Sequence, residues 1–262
     1  MAADRFLSIV IPAFNEEKRL GDTLDRILSF SAEKGIDSEI IIIDDGSSDA
    51  TATIGGKYSH LHDGVRLIRN EENMGKGFSI RRGFLASRAQ LVLVTDADLS
   101  APIEEFEALL NVMRSFNHDI VIGSRGVDPA KIEIKQPWLR RTMGKVFNRV
   151  VRSLTGLPFK DTQCGFKLLV REKVKPIIEI MKVDRFSYDV ELLFLARTFG
   201  LRIAEVPVVW RDSRATRVRM IQDSMNMVWD VAKIRMNYKK GLYGEKEAKE
   251  ETGGSGVPEK KK

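Results

Sequence analysis

Asp96 and Asp98 stand one residue apart, directly after the apolar run Leu91 to Val94. A run of that length and character reads as a strand buried on both faces. Pro102 and the acidic pair Glu104 and Glu105 then open a helix. In an open α/β sheet, ligands collect at the carboxyl ends of strands. Two hard oxygen donors placed there suit Mg2+ or Mn2+ carrying a diphosphate. The plainer alternative is a turn that is simply rich in Asp. Polar groups also follow other apolar runs: Asn15 and Glu16, then Asp44 and Asp45 before Gly46 and Ser47, then Gly75, Lys76 and Gly77. Later come Asp161 to Lys167, the acids Asp189 and Glu191, and three arginines at three-residue spacing, Arg211, Arg214 and Arg217. Arginines spaced like this beside a strand end can grip a phosphate, although surface solvation explains them too. Asp189 and Glu191 can equally be acids that suit the positive end of a helix.

The elements that must position these groups alternate along the first half. Strands are expected at Phe6 to Ile11, Glu39 to Ile43, Val65 to Arg69, Leu91 to Val94 and Asp119 to Gly123. Between them lie helices marked by Leu20, Leu24, Ile27 and Leu28, by Phe78, Ile80, Phe84 and Leu85, and by the stretch Ile103 to Phe116. Strand alternating with helix predicts an α/β fold: a doubly wound, mostly parallel sheet flanked by helices. The turns at Asn15-Glu16, Asp44-Asp45 and Asp96-Ala97-Asp98 should then converge on one edge. Gly75-Lys76-Gly77 is not a P-loop, because no Gly lies five residues before Gly75 and Gly77 replaces the Ser or Thr that would meet Mg2+. No Gly-x-Gly-x-x-Gly follows the first strand, which disfavours a dehydrogenase-type dinucleotide fold.

The second half changes character. Trp138 to Leu154 places Leu139, Met143, Val146, Phe147, Val150 and Val151 on one helical face, with Arg141, Lys145, Arg149 and Arg152 on the other. Such a helix fits a membrane surface, and equally a core with a solvated basic flank. Leu168 to Val170 reads as a short strand, and an apolar helix reaches Phe199. Leu201 to Val209 is a strand interrupted by Pro207, hence an edge. Met220 to Tyr238 is amphipathic, with Ile221, Met225, Val228, Val231 and Ile234 on its apolar face. From Gly244 the chain is charged and Gly-rich, and is expected to be disordered. Residues 1–243 are expected to form one domain of two halves, 1–125 and 126–243.

The chain has 262 residues, is 43% hydrophobic and carries a net charge of +6. That charge is uneven: Lys131 to Arg152 holds seven basic residues against one acid, and Arg197 to Lys240 ten against four. A basic second half implies an anionic partner: phosphate, nucleic acid or a membrane surface. No aromatic stacking pattern supports nucleic acid. The single Cys164 excludes an internal disulfide and suits a reducing compartment. No secretory signal and no apolar run of about 18 residues is visible, so the expectation is a peripheral protein on the cytoplasmic face of a membrane.

Taken together, Ile11-Pro12-Ala13-Phe14-Asn15-Glu16, Ile43 to Asp49, Asn73 to Gly77 and Thr95 to Asp98 resemble, in order and spacing, the family 2 glycosyltransferases of the A fold. The likeness covers Phe6 to Lys240. Gly123-Ser124-Arg125, Asp161 to Lys167 and Tyr188 to Glu191 resemble the branch that glycosylates polyprenyl phosphates, most of all the dolichyl-phosphate glucosyltransferases, with dolichyl-phosphate mannose synthases next. The resemblance implies that Pro12, Ala13, Phe14, Asn15, Glu16, Asp44, Asp45, Ser47, Gly75, Lys76 and Ala97 meet the nucleotide sugar, Asp45 at its base. It implies that Asp96 and Asp98 hold Mg2+ or Mn2+ on the diphosphate, and that Arg125, Arg140, Gln163 and one of Arg214 or Arg217 hold the acceptor phosphate. Ser100 stands where the mannose synthases commonly have Gln, and Gly144 where they have Ser.

The implied reaction moves a hexose from UDP-glucose, or alternatively GDP-mannose, to a polyprenyl phosphate such as dolichyl phosphate. The acceptor is already ionised at neutral pH, so direct attack inverts the sugar; if a base acts, Asp189 and Glu191 are the candidates. A membrane-anchored subunit or a second copy of the chain is a possible partner. The rivals are a transferase of the same fold with a non-lipid acceptor and a non-catalytic module on a membrane surface. A processive polysaccharide synthase would need Gln-x-x-Arg-Trp, which Gln136-Pro137-Trp138 does not match, and a nucleotidyltransferase would need a Gly-rich loop after the first strand.

Overall fold

The computed structural model describes residues 5–127, 132–134, 149–211 and 220–244. Its first half is strand β1 (Leu7–Ala13), helix α1 (Leu20–Glu33), β2 (Ser38–Asp44), α2 (Thr51–Leu61), β3 (Val65–Arg69), α3 (Lys76–Ala86), β4 (Leu91–Val94), α4 (Glu105–Phe116) and β5 (Ile120–Ser124). The second half adds β6 (Ile132–Ile134), β7 (Lys167–Val170), α5 (Arg171–Ile180), α6 (Tyr188–Thr198), β8 (Ile203–Pro207), β9 (Trp210–Arg211) and α7 (Met220–Lys239). Seven strands form one sheet in the order β3-β2-β1-β4-β7-β5-β8, and β6 pairs with β9 in a separate ribbon. All neighbours in the large sheet are parallel except β7, which runs antiparallel to both β4 and β5. The expected doubly wound, mostly parallel sheet is therefore present.

Side-chain alternation divides the core between the two faces of the sheet. Leu7, Ile9 and Ile11 of β1 face one apolar layer with Leu24, Ile27 and Phe106, while Val10 faces the other with Ile80, Phe84 and Leu193. Helix α1 buries Leu20, Leu24 and Ile27 of the residues whose spacing marked it, and Leu28 is half-buried beside them. The edge strand expected at Leu201 to Val209 is shorter, Ile203–Pro207, and Pro207 ends it. Proline lacks the N–H needed to continue a ladder.

Antiparallel β7 decides where the site lies. Its first residue, Lys167, is paired with Val94 at the carboxyl end of β4 and with Ile122 near that of β5. The loop entering β7 therefore arrives at the edge where the parallel strands end. Of the expected helix at 138–154, residues 149–155 are helical and Val151 is buried in the core; the remainder lies outside the described residues. In α7, Val231 and Ile234 are buried as expected, but Val228 is exposed. Ile221, Met225 and the tail beyond Gly244 bear on side chains or residues outside those described.

Candidate active site

The turns after β1 and β2 interlock. Asn15 adopts a left-handed backbone, φ 55°, and its side-chain oxygen accepts the Ser48 N–H at 2.8 Å. The Asn15 N–H donates to the Ser47 hydroxyl at 2.8 Å, and the Ser47 N–H to Asp44 Oδ1 at 3.1 Å. Buried Asp44 also has Arg69 Nε 3.0 Å from Oδ2. Asn15, Asp44 and Ser47 thus shape the turn from within. Pro12 is half-buried, Ala13 is buried beside Asp44 in register, Glu16 pairs with Arg19, and the ring of Phe14 is exposed. Asp45 is buried, and its carboxylate accepts from Asn70 Nδ2 at 2.7 Å, the Met74 N–H at 3.0 Å and the Gly75 N–H at 2.9 Å. Those bonds set the turn that launches α3. Gly75 is required there: its φ is +101°, and a Cβ would lie 2.5 Å from the Asp184 carbonyl oxygen.

Lys76, first residue of α3, places its ammonium on Asp96 Oδ1. Burial opposes charge on both groups, but their mutual attraction wins: Lys76 is held above its ordinary pKa, with Asp189 and Asp98 adding to the pull, and Asp96 below its own. Asp98 is pushed up, by burial and then by the charge of Asp96. Between the two acids, buried Ala97 accepts a 2.7 Å bond from the Thr23 hydroxyl of α1, which pins the turn. The Ser100 N–H donates to Asp98 Oδ1 at 3.0 Å, and Arg19 lies 3.5 Å from Oδ2. From the opposite side Gly165 packs so closely that a Cβ there would fall inside the Asp96 carboxylate.

Arg125 follows β5 and grips Asp161 with two parallel bonds, Nε to Oδ2 at 2.6 Å and Nη2 to Oδ1 at 2.8 Å. Its guanidinium stacks 4.7 Å above the ring of Trp210. The N–H groups of Lys160 and Asp161 donate to Glu205 at 2.9 and 2.7 Å, anchoring the loop to the edge strand β8. Fully buried Lys167 pairs with Asp189, whose pKa is raised by burial despite that partner. Glu191 is not brought to this cluster. Residues two apart on a helix face different sides, and Glu191 instead accepts from the N–H groups of Lys182 and Val183 and from the Tyr243 hydroxyl. Gln163 lies half-buried in the loop before Cys164. Arg140, Gly144, Arg214 and Arg217 lie outside the described residues.

One strand edge therefore carries a lysine, two closely spaced carboxylates and a clamped arginine. The family model for glycosyl transferase family 2 matches residues 8–177, from β1 through most of α5. The chain belongs to glycosyl transferase family 2. Among similar members of the family, the dolichyl-phosphate beta-glucosyltransferase of Dictyostelium discoideum is 35% identical over 91% of this chain and 76% of its own length. The Homo sapiens protein of the same name is 33% identical over 90% of this chain and 77% of its own. Among solved structures, glucosyl-3-phosphoglycerate synthase from Mycobacterium tuberculosis, in complex with Mn2+ and UDP-glucose, superimposes with a TM-score of 0.66 at 21% identity. It covers 89% of this chain and 79% of its own, a likeness of fold.

Family 2 membership implies a divalent cation, and the donor chemistry here fits one. Asp96 and Asp98 offer hard oxygens whose mutual repulsion a cation relieves, as Lys76 now does for Asp96. Among the described residues no group of three His, Cys, Asp or Glu side chains forms a closed metal site. The sequence did not single out Gly165, Lys167, Trp210 or Arg19 as parts of the site. Gly165 and Lys167 lay within a motif already noted, but contact across some 70 residues is invisible without the antiparallel strand.

Proposed function

We propose that the chain transfers glucose from UDP-glucose to dolichyl phosphate, with inversion to a β-linked lipid product. The observation supporting the reaction class is the meeting of Lys76, Asp96 and Asp98 at one strand edge, with Arg125 clamped beside it. The choice of sugar and acceptor is supported by relatives named dolichyl-phosphate beta-glucosyltransferase, 31–36% identical over at least 90% of this chain. That name favours glucose over the mannose alternative.

In this reading the interlocked turns of Pro12 to Glu16 and Asp44 to Ser47 receive the nucleotide. The exposed ring of Phe14 offers a flat apolar edge, and Asp45 stands at the base end. Asp96 and Asp98 hold Mg2+ or Mn2+, which supplies positive charge to the departing diphosphate. Lys76 adds a second positive group on the same leaving oxygens, an electrostatic contribution set before the bond breaks. Arg125, assisted by Gln163 and by Arg140 and Arg214 or Arg217, orients the acceptor phosphate. A phosphate monoester has a second pKa of about 6 and is already an anion at neutral pH. Asp189, held by Lys167, need not remove a proton.

A polyprenyl acceptor lives in a membrane, and α7 suits contact with one. Val228, Trp229 and Met236 of the helix, and Leu242 just beyond it, are exposed alongside Lys233 and Lys239. Among the described residues no helix is long and apolar enough to cross a membrane. Calorimetric titration tests donor choice. UDP-glucose should bind in a Mn2+-dependent manner and GDP-mannose much more weakly; the reverse order would assign the chain to the mannosyl reaction.

A further inference from the structure

Glu191 is a buried carboxylate that the proposed chemistry does not use. It lies on α6, is fully inaccessible, and accepts from three donors: the Lys182 N–H at 3.0 Å, the Val183 N–H at 2.8 Å and the Tyr243 hydroxyl at 2.6 Å. Tyr243 is itself buried just beyond the end of α7, with the Lys182 ammonium 5.9 Å above its ring. A carboxylate this deep is costly unless its lone pairs are satisfied, so the arrangement fixes the segment 182–183 in place.

That segment is the floor of the Lys76 turn. The Phe78 N–H, in the first turn of α3, donates to the Asp184 carbonyl at 3.0 Å. Arg81 of α3 reaches the Val183 carbonyl at 3.2 Å and the Asp184 carboxylate at 2.6 Å. Gly75 and Gly77, on either side of Lys76, press against the Asp184 and Val183 carbonyls so closely that neither tolerates a Cβ. Three residues past that segment, the Ser187 hydroxyl lies 3.4 Å from the Met227 carbonyl of α7.

We infer that Glu191 and Tyr243 are positioning residues for Lys76: they lock residues 182–184, and that segment in turn holds the turn aiming the Lys76 ammonium at the donor diphosphate. The inference rests on the proposed donor site. Its consequence is that a hydroxyl at the carboxyl end of the chain's last described helix sets donor affinity from outside the donor site.

The test uses the full chain and measures UDP-glucose affinity, melting temperature and hydrogen exchange of residues 75–78 for wild type, Tyr243→Phe and Glu191→Gln. Lys76→Ala serves as the donor-site reference, and Phe30→Leu, in the opposite core layer, as a destabilised control. Tyr243→Phe removes one O–H and keeps the ring, so the chain should fold. The expected result is donor affinity weakened about tenfold in Tyr243→Phe and in Glu191→Gln, with faster exchange at 75–78. Phe30→Leu should melt lower and bind normally. Wild-type affinity in both latch variants would overturn the inference, as would equal weakening in Phe30→Leu. If Lys76→Ala itself bound UDP-glucose normally, the donor-site reading would fall and the inference with it.

Discussion

At the scale of single residues, the site depends on what is small and what is charged. Gly165 lets the loop entering β7 close over Asp96, and no other residue fits that gap. Gly165→Ala should lower transfer about a hundredfold, by displacing the Asp96 carboxylate, while the melting temperature changes little. Wild-type turnover in that variant would mean that the loop yields freely. Cys164, next to it, is buried, and its thiol is pushed up to about 12 by burial and then by the Asp161 charge. It should resist alkylation in the native protein at about pH 8 and react fully once unfolded, as intact-mass measurement would show. Asp96, Asp98 and Lys76 were legible because each sits at the end or start of a strongly patterned element. The partnership of Arg125 with Asp161, the stacking on Trp210 and the pairing of Lys167 with Asp189 were not, since each joins distant segments. The same holds for Glu191, whose position beside Asp189 in sequence conceals that the two face opposite sides of α6.

At the scale of elements, period and punctuation carried the first half well. Five apolar runs became five strands, and the helices between them buried Leu20, Leu24, Ile27, Ile80 and Phe84, while Leu28 and Phe78 are half-buried and Leu85 is exposed because it falls off the core-facing stripe. The insertion of β7 between β4 and β5 was not legible, because a four-residue strand carries no sign of its direction or neighbours. Buried polar ties between elements were equally hidden, and Glu39 of β2 is an example. It accepts from the Ser8 hydroxyl at 2.6 Å, the Arg88 N–H at 2.7 Å and Arg66 at 2.8 Å, so it joins β1, β2, β3 and the approach to β4. Burial opposes its ionisation, but these donors outweigh burial and hold its pKa below the ordinary 4.5. A depressed carboxylate stabilises the fold above its unfolded pKa and loses that contribution as pH falls through the folded value. Glu39→Gln should cost about 2 kcal/mol at neutral pH. The gap between wild-type and variant stability should narrow as pH falls below the ordinary carboxylate value of 4.5 and through the lower folded value, because only the wild type loses a charge. Denaturant melts across that range check it, and a gap that widened on acidification would contradict the assignment.

At the scale of the whole molecule, charge and apolar exposure point the same way. The basic residues crowd into the second half, and Trp229 and Met236 of α7, with Leu242 just beyond it, are uncovered. The protein should bind anionic vesicles more tightly than neutral ones, less so at high salt. Trp229 is exposed whereas Trp210 is buried, so a blue shift of tryptophan emission on vesicle binding, lost in Trp229→Phe, would locate the contact. Emission unchanged by vesicles would place the contact elsewhere. The basic helix read at 138–154 lies largely, and the arginines at 214 and 217 wholly, outside the described residues.

The proposed transfer of glucose to a lipid phosphate depends on Asp96 and Asp98 holding a divalent cation. That dependence is tested by incubating the purified full chain with radiolabelled UDP-glucose, dolichyl phosphate and Mg2+ or Mn2+, then extracting lipid, with Asp98→Ala in parallel. Label in the organic phase that requires the cation, survives as a β-linked product and is lost in the variant is the predicted result. Label confined to the aqueous phase, or lipid labelling unaffected by Asp98→Ala, would contradict it.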